Sequence, residues 1–248
     1  MGDVAMSVPV IRAFTKQYPN CKITVVSKPF LRPLFDGIPN VSFFAAEVTK
    51  NHKGIMGLFR LFVELKKQKI THIADFHNVL RSKILRTLFF LSGKPCMHID
   101  KGRAEKKALT RSNNKIFKQL KTSHQRYADV LQKLGYPVDL SKSFSLEKKQ
   151  ISKNSITITG LKENTWIGIA PFAAFKSKIY PLELMEEVIE KLTSKKIKIV
   201  LFGGGKKEIT ILNALEKKYH NVQNIAGKMS FGEELELMRS LDLMISMD

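Results

Sequence analysis

The chain has 248 residues and a mass of 28.2 kDa, and its 42 Lys and Arg against 22 Asp and Glu give a formal charge of +20. At ~150 residues per domain this is one large or two modest domains. A hydrophobic fraction of 44% beside 26% charged residues is globular, which excludes disorder, collagen and coiled coil as the main state, and no apolar run approaches the ~20 residues of a membrane-spanning helix.

The chain opens on Gly2-Asp3, read as a turn. A helix over residues 7–18 follows, with Val10, Ile11, Phe14 and Tyr18 at helical period. Runs rich in β-branched and aromatic residues then predict short buried strands at 22–27, 41–45, 70–76, 96–99, 166–171, 197–202, 222–226 and 243–247. Between them Ile55, Leu58, Phe59, Phe62 and Leu65 mark one helix, and Leu182, Met185, Val188, Ile189 and Leu192 another. Strand and helix alternate, as in parallel sheets covered on both faces. The alternation lapses over residues 135–164, so the expected organisation is two similar α/β domains in tandem, 1–145 and 146–248. A doubly wound domain ordinarily begins with a strand. The expectation is therefore that the first strand is missing, and that the last strand stops at Asp248 short of its covering loop and helix.

The charge is uneven. Residues 49–121 hold 18 Lys or Arg and four acids, +14 of the total, a pattern that attracts polyanions such as nucleic acid, anionic head groups or phosphorylated saccharides. A Lys-biased composition explains much of this excess. It explains Arg81, Arg86 and Arg103 less well, because Arg binds phosphate bidentately and is scarce here. Cys21 and Cys96 are too few for a disulfide framework or a Cys-based zinc site. With no basic-then-apolar leader at Met1, they fit a reducing, cytoplasmic setting.

Three segments could carry chemistry. Asp3 precedes a helix, where a carboxylate either caps amides or acts as a base. The run 167–171 is a strand followed by a loop holding Lys176 and Lys178, then Pro181 in a first helical turn. Open amides there favour an anion, so Lys178 is either a diphosphate ligand or an exposed loop lysine. A second strand runs into Gly203-Gly204-Gly205, which matches neither dinucleotide nor Walker spacing. His72 and His77 flank a strand end and read as packing or loop residues; no H-E-x-x-H or G-x-S-x-G pattern occurs.

Together these residues resemble glycosyltransferase family 9, the ADP-heptose:lipopolysaccharide heptosyltransferases. The resemblance rests on GDVAMSVPVIRAFTKQYPNCKITVVSKP at the start and on DFHNVLRSKILR and IDKGRAEKKALT in the basic region. It continues through IGIAPFAAFKSKIYP, VLFGGGKKE, NIAGKMSF and LDLMISMD. It implies two Rossmann-like α/β domains of GT-B type, the first holding the acceptor and the second the sugar nucleotide, with transfer between them by inversion and without a metal or other cofactor. Asp3 corresponds to the family's turn carboxylate and would be the base. Lys178 and nearby amides would stabilise the leaving diphosphate. Ala173 and Ala174 stand where members often carry Thr, so backbone amides would substitute. Gly203 and Gly204 form the Gly-rich turn on the donor side. Asp248 matches the family's final Asp but lacks the Ser/Thr-Gly and His that follow it, so the chain reads as an incomplete member, not expected to be active by itself.

The partners so implied are an ADP-activated sugar, a lipid A/lipopolysaccharide-core acceptor meeting Arg81, Lys101 and Arg103, and the anionic inner-membrane surface, at which the protein would be peripheral. No nucleic acid is expected. The remaining alternatives are a transferase for another nucleotide-activated sugar, a non-catalytic basic binding protein of the same fold, and a nucleic-acid-binding module.

Overall fold

A computed structural model describes residues 1–141 and 151–247. The chain divides into two compact units, Met1–Ser145 and Leu146–Asp248; the expected boundary itself falls among residues 142–150, outside the described residues.

In the first unit Gly2-Asp3 is not a turn. It begins a short helix, α1 (Gly2–Ala5), because Met1 and Gly2 carbonyls accept from the amides of Ala5 and Met6 at 3.1 and 2.9 Å. The helix α2 (Val8–Gln17) follows, with Val10, Ile11 and Phe14 buried as their period requires. Next come β1 (Ile23–Ser27), β2 (Val41–Ala45), α3 (Gly54–Lys66), β3 (Ile73–Asp75), α4 (Leu80–Leu91), β4 (Cys96–His98), α5 (Arg103–Thr110) and α6 (Ser123–Lys133). The strands form two separate parallel pairs, β1 with β2 and β3 with β4. One core packs Val10 and Phe14 against Ile99, Tyr127, Val130 and Leu131; another packs Leu58, Leu61, Leu65 and Phe89. Each such side chain contributes about 1.5–3 kcal/mol by leaving water.

The second unit contains α7 (Lys153–Thr159), β5 (Trp166–Ala170), α8 (Leu182–Thr193), β6 (Lys198–Leu201), α9 (Lys206–Lys218), β7 (Val222–Asn224), α10 (Phe231–Ser240) and β8 (Leu243–Ser246). Helix α7 (Lys153–Thr159) lies in the stretch over which the alternation lapses. The Ser152 hydroxyl caps it by accepting from the Ser155 amide, and Ile158 packs into the core around Trp166. All four strands are parallel in the order β7-β6-β5-β8. Strand β5 is central and buried on both faces, with Trp166 1% and Ile169 0% exposed. Gly168 is needed there, since a Cβ would fall 2.4 Å from Leu241 and 2.5 Å from Met244, the side chains that lay β8 against β5.

The order β7-β6-β5-β8 fixes where a ligand would bind. The chain builds outward from β5 to β6 and β7, then returns to the other side of β5 for β8. The loops leaving β5 and β8 therefore diverge, and open α/β sheets take ligands at such a switch point, beyond the carboxyl ends of the strands.

Candidate functional site

In the second unit, Ala170 and its register partner Ser246 end the two strands at the switch point. The loop from β5 is then tied to the end of β8: the Met247 amide donates to the Ala170 carbonyl at 3.1 Å, and the Tyr180 amide to Met247 Sδ at 3.3 Å. Lys176–Lys178 make one turn of 3-10 helix in that loop. Pro181 is the N-cap of α8, one residue before the first turn expected for it. Its φ of −50° and extended ψ suit the entry, and its carbonyl accepts the Met185 amide at 3.0 Å. The result is a hollow of about 500 Å³ lined by Ser177, Lys178, Tyr180, Met185, Ile245 and Met247. Lys178 thus stands at the switch point, three residues before the N-cap of a 12-residue helix whose first amides carry partial positive charge.

The other residues named from the donor-side pattern fall around it. Ala173 is half-buried and Ala174 exposed in the same loop. A Cβ on Gly203 would meet Leu212 at 2.8 Å and Phe172 at 3.6 Å, so Gly203 packs the Gly-rich turn against the start of the β5 loop. The Gly204 amide donates to the Glu208 carboxylate at 2.8 Å, so an anion approaching that amide competes with Glu208. Asp248 lies outside the described residues.

In the first unit the register Asp75↔His98 brings the carboxyl ends of β3 and β4 together. Asp75 is 6% exposed and organises the loop beyond it: its Oδ1 accepts the His77 and Asn78 amides at 3.0 and 2.7 Å, and its Oδ2 accepts Arg86 at 3.1 Å. Arg86 is therefore held in an ion pair within the fold. Asn78, at φ +44°, donates through Nδ2 to the Ile99 carbonyl at 3.1 Å and so joins the two strand-end loops.

Arg81 and Arg103 lie in the first turns of α4 and α5 and are exposed; Lys101 is half-buried in the loop after β4. A cation in a first helical turn opposes the helix dipole, at about 0.3–1 kcal/mol. The same two places become favourable once an anion sits between the guanidinium groups and the helix amides.

Asp3 is exposed. Its carbonyl accepts the Tyr127 hydroxyl at 2.9 Å, and the Tyr127 ring stacks on Phe76, the residue after β3, at 4.8 Å. Burial, and then the Asp3 carboxylate, push the Tyr127 phenol above its ordinary pKa. The structure thus ties Asp3 to the carboxyl end of β3. Burial also raises the Cys96 thiol, which keeps it protonated. Among the described residues no group of three or more His, Cys, Asp or Glu could hold a metal ion, and no helix is long and apolar enough to cross a membrane.

The model of glycosyltransferase family 9 (heptosyltransferase) matches residues 58–248. The chain belongs to this family. Over its whole length it is 24% identical to lipooligosaccharide heptosyltransferase 2 of Haemophilus influenzae, of which it covers 75%. Its fold matches that of a family 9 glycosyltransferase from Veillonella parvula with a TM-score of 0.76 at 19% identity, covering 99% of this chain and 71% of the other. E. coli heptosyltransferase WaaC with ADP gives a TM-score of 0.66 at 16% identity, covering 100% and 78%. The protein is thus a glycosyltransferase of family 9, built of Rossmann-like α/β units as in the GT-B type.

Asp75, Asn78, Arg126 and Tyr127 were not among the residues singled out from sequence in this family 9 chain. Arg126 is 7% exposed and binds the Asp100 carbonyl at 3.2 Å and Glu105 at 2.6 Å. Its guanidinium lies where a Cβ on Gly102 would be, at 2.3 Å. The signals available were an Asp three residues before an Asn at a strand end, and a Gly just before the helix bearing Arg103.

Proposed function

We propose that the protein transfers heptose from ADP-heptose to the inner core of lipopolysaccharide, with inversion and without a metal ion. Units 1–145 and 146–248 serve acceptor and donor respectively. The observation that carries the reading is the hollow at the β5–β8 switch point, with Lys178 beside the start of α8: a cation and helix amides suit a nucleoside diphosphate. Family membership and the naming of heptosyltransferases among the similar proteins support the choice of sugar and acceptor.

In this mechanism the Asp3 carboxylate takes the proton of the acceptor hydroxyl as its oxygen bonds to the anomeric carbon. The bond from that carbon to the diphosphate oxygen breaks with its electron pair, and ADP leaves. Lys178 and the amides near Ala173 and Ala174 stabilise the charge that develops on the diphosphate, with Gly203, Gly204 and Asp248 bordering the nucleotide. Arg81, Lys101 and Arg103 hold acceptor phosphates and sugar carboxylates. The protein works in the cytoplasm, peripheral to the anionic inner membrane where that acceptor resides.

The test is to incubate a chain spanning the full length of its family 9 relatives with ADP-heptose and a heptose-deficient lipopolysaccharide core, following ADP release and the mass of the acceptor. Stoichiometric ADP release with one added heptose supports the reading. Donor binding without any transfer favours a non-catalytic protein of the same fold.

A further inference from the structure

Helix α3 carries more apolar surface than the fold uses. Gly57, Leu58, Leu61 and Leu65 face the core. On the outer side Ile55 is 74%, Met56 79%, Phe59 50% and Val63 40% exposed. At 100° per residue these four fall within one 100° sector, a continuous stripe along about 12 Å of helix.

The flanks of that stripe are cationic. Arg60 adjoins it, Lys53 precedes the helix, and Lys66 and Lys67 close it; all four are exposed. Residues 50–69 hold six Lys or Arg and one acid, Glu64, and Glu64 is engaged by His52 at 3.1 Å. The Lys66 amine lies 6.0 Å over the Phe62 ring, so its stem follows the helix and its charge stays at the rim. A protein partner of ordinary composition would meet this rim with scattered acids. A surface that is apolar within and anionic over its whole extent matches it throughout, and that surface is a bilayer containing anionic lipid.

We infer that the outer face of α3 docks the protein on anionic membrane, with Ile55, Met56, Phe59 and Val63 entering the head-group boundary and Arg60, Lys66 and Lys67 pairing with lipid phosphates. This deepens the membrane-side reading proposed above and assigns it to one helix, remote in sequence from Asp3 and Lys178.

The experiment is flotation of the full chain with vesicles of equal parts phosphatidylglycerol and phosphatidylethanolamine, and with vesicles of phosphatidylcholine alone. Wild type is expected to float with the anionic vesicles only. The double variant Met56→Ser, Phe59→Ser should lose about tenfold or more in partitioning. Lys66→Gln with Lys67→Gln should lose about fivefold per charge, an effect that added salt abolishes in wild type. In Phe59→Trp the new indole should shift to the blue on adding anionic vesicles, against the buried Trp166. Equal binding to both vesicle types, or wild-type flotation of both double variants, overturns the inference. So does a lipid-free dimer that the serine variant dissolves, since a second copy then covers the stripe. Calorimetry with ADP on wild type and the serine variant separates the two readings: unchanged ADP affinity with lost flotation in the variant leaves the donor site intact, whereas wild-type flotation without any ADP binding leaves only the surface.

Discussion

The Tyr127 hydroxyl donates to the Asp3 carbonyl at 2.9 Å across 124 positions of sequence. This bond links α6 to α1, while the Tyr127 ring stacks on Phe76, the residue after β3. Tyr127→Phe keeps the ring and removes the bond. It should cost about 1 kcal/mol, read as a lower urea midpoint. The cost should also depend on pH. A phenol whose pKa is raised in the folded state contributes fully below its unfolded value of about 10 and loses that contribution as pH rises through the folded value. The gap between wild type and Tyr127→Phe should therefore be full near about pH 8 and narrow above about pH 10; a constant gap contradicts the burial of the phenol.

Asp3→Asn preserves shape but cannot accept the acceptor's proton. Transfer should fall ~10²–10⁴-fold while ADP affinity stays within about twofold, because ADP is assigned to the other unit. Rates with saturating donor on a chain spanning the full length of its family 9 relatives, together with calorimetry, check both halves. Unchanged turnover would leave Asp3 with a purely structural part in α1.

Gly102 sits at φ +60° with the Arg126 guanidinium in the space a Cβ would need. Gly102→Ala should destabilise by about 2 kcal/mol or more, through backbone strain and displacement of the buried Arg126 guanidinium from the Asp100 carbonyl and from the exposed Glu105. The double variant Gly102→Ala, Arg126→Ala should cost less than the sum of the two single changes, since it removes the clash. Urea unfolding of the four proteins gives the coupling, and strict additivity would contradict the contact.

Elements whose cause is local were the legible ones. The runs around Val25, Phe43, Ile167, Val200 and Ile245 are strands because β-branched and aromatic side chains suit a pleated sheet, although the burial expected of all of them holds in β5 and β6 and not in the partly exposed β1, β2 and β8; the spacing of Val10 and Phe14 needs only α2's own period. The strand-end loops were hidden, since Asp75 acts through amides at 77 and 78 and through Arg86, and Arg126 acts on Asp100 and Glu105 from a later helix. Such polar partners leave no period in the chain. Arg86 is a further case: the fold pairs it with Asp75, 11 residues earlier, a partner that no spacing rule announced. Helix α7 was obscured because its core-facing residues, among them Ile158, lie in a short polar segment set by a Ser152 cap.

Replacing Arg81, Lys101 and Arg103 together by Gln should raise the KM for the lipopolysaccharide acceptor and flatten its dependence on salt, with the donor constant unchanged. Exposed charges act over about 8–10 Å at moderate ionic strength, so the effect belongs to a ligand at the first unit. Kinetics with each substrate varied at two salt concentrations decide it. A shift in the donor constant instead would reverse the assignment of the units.

Diphosphate binding at the β5–β8 switch point is tested most directly by calorimetry of ADP and adenosine with wild type, Lys178→Ala and Lys176→Ala. Lys178 lines the hollow beside Ile245 and Met247, whereas Lys176 does not line it. The predicted result is that Lys178→Ala weakens ADP about tenfold or more, as expected for a lost charge-assisted contact, and adenosine far less, with Lys176→Ala near wild type for both. Equal losses for the two variants, or equal losses of ADP and adenosine in Lys178→Ala, would contradict it.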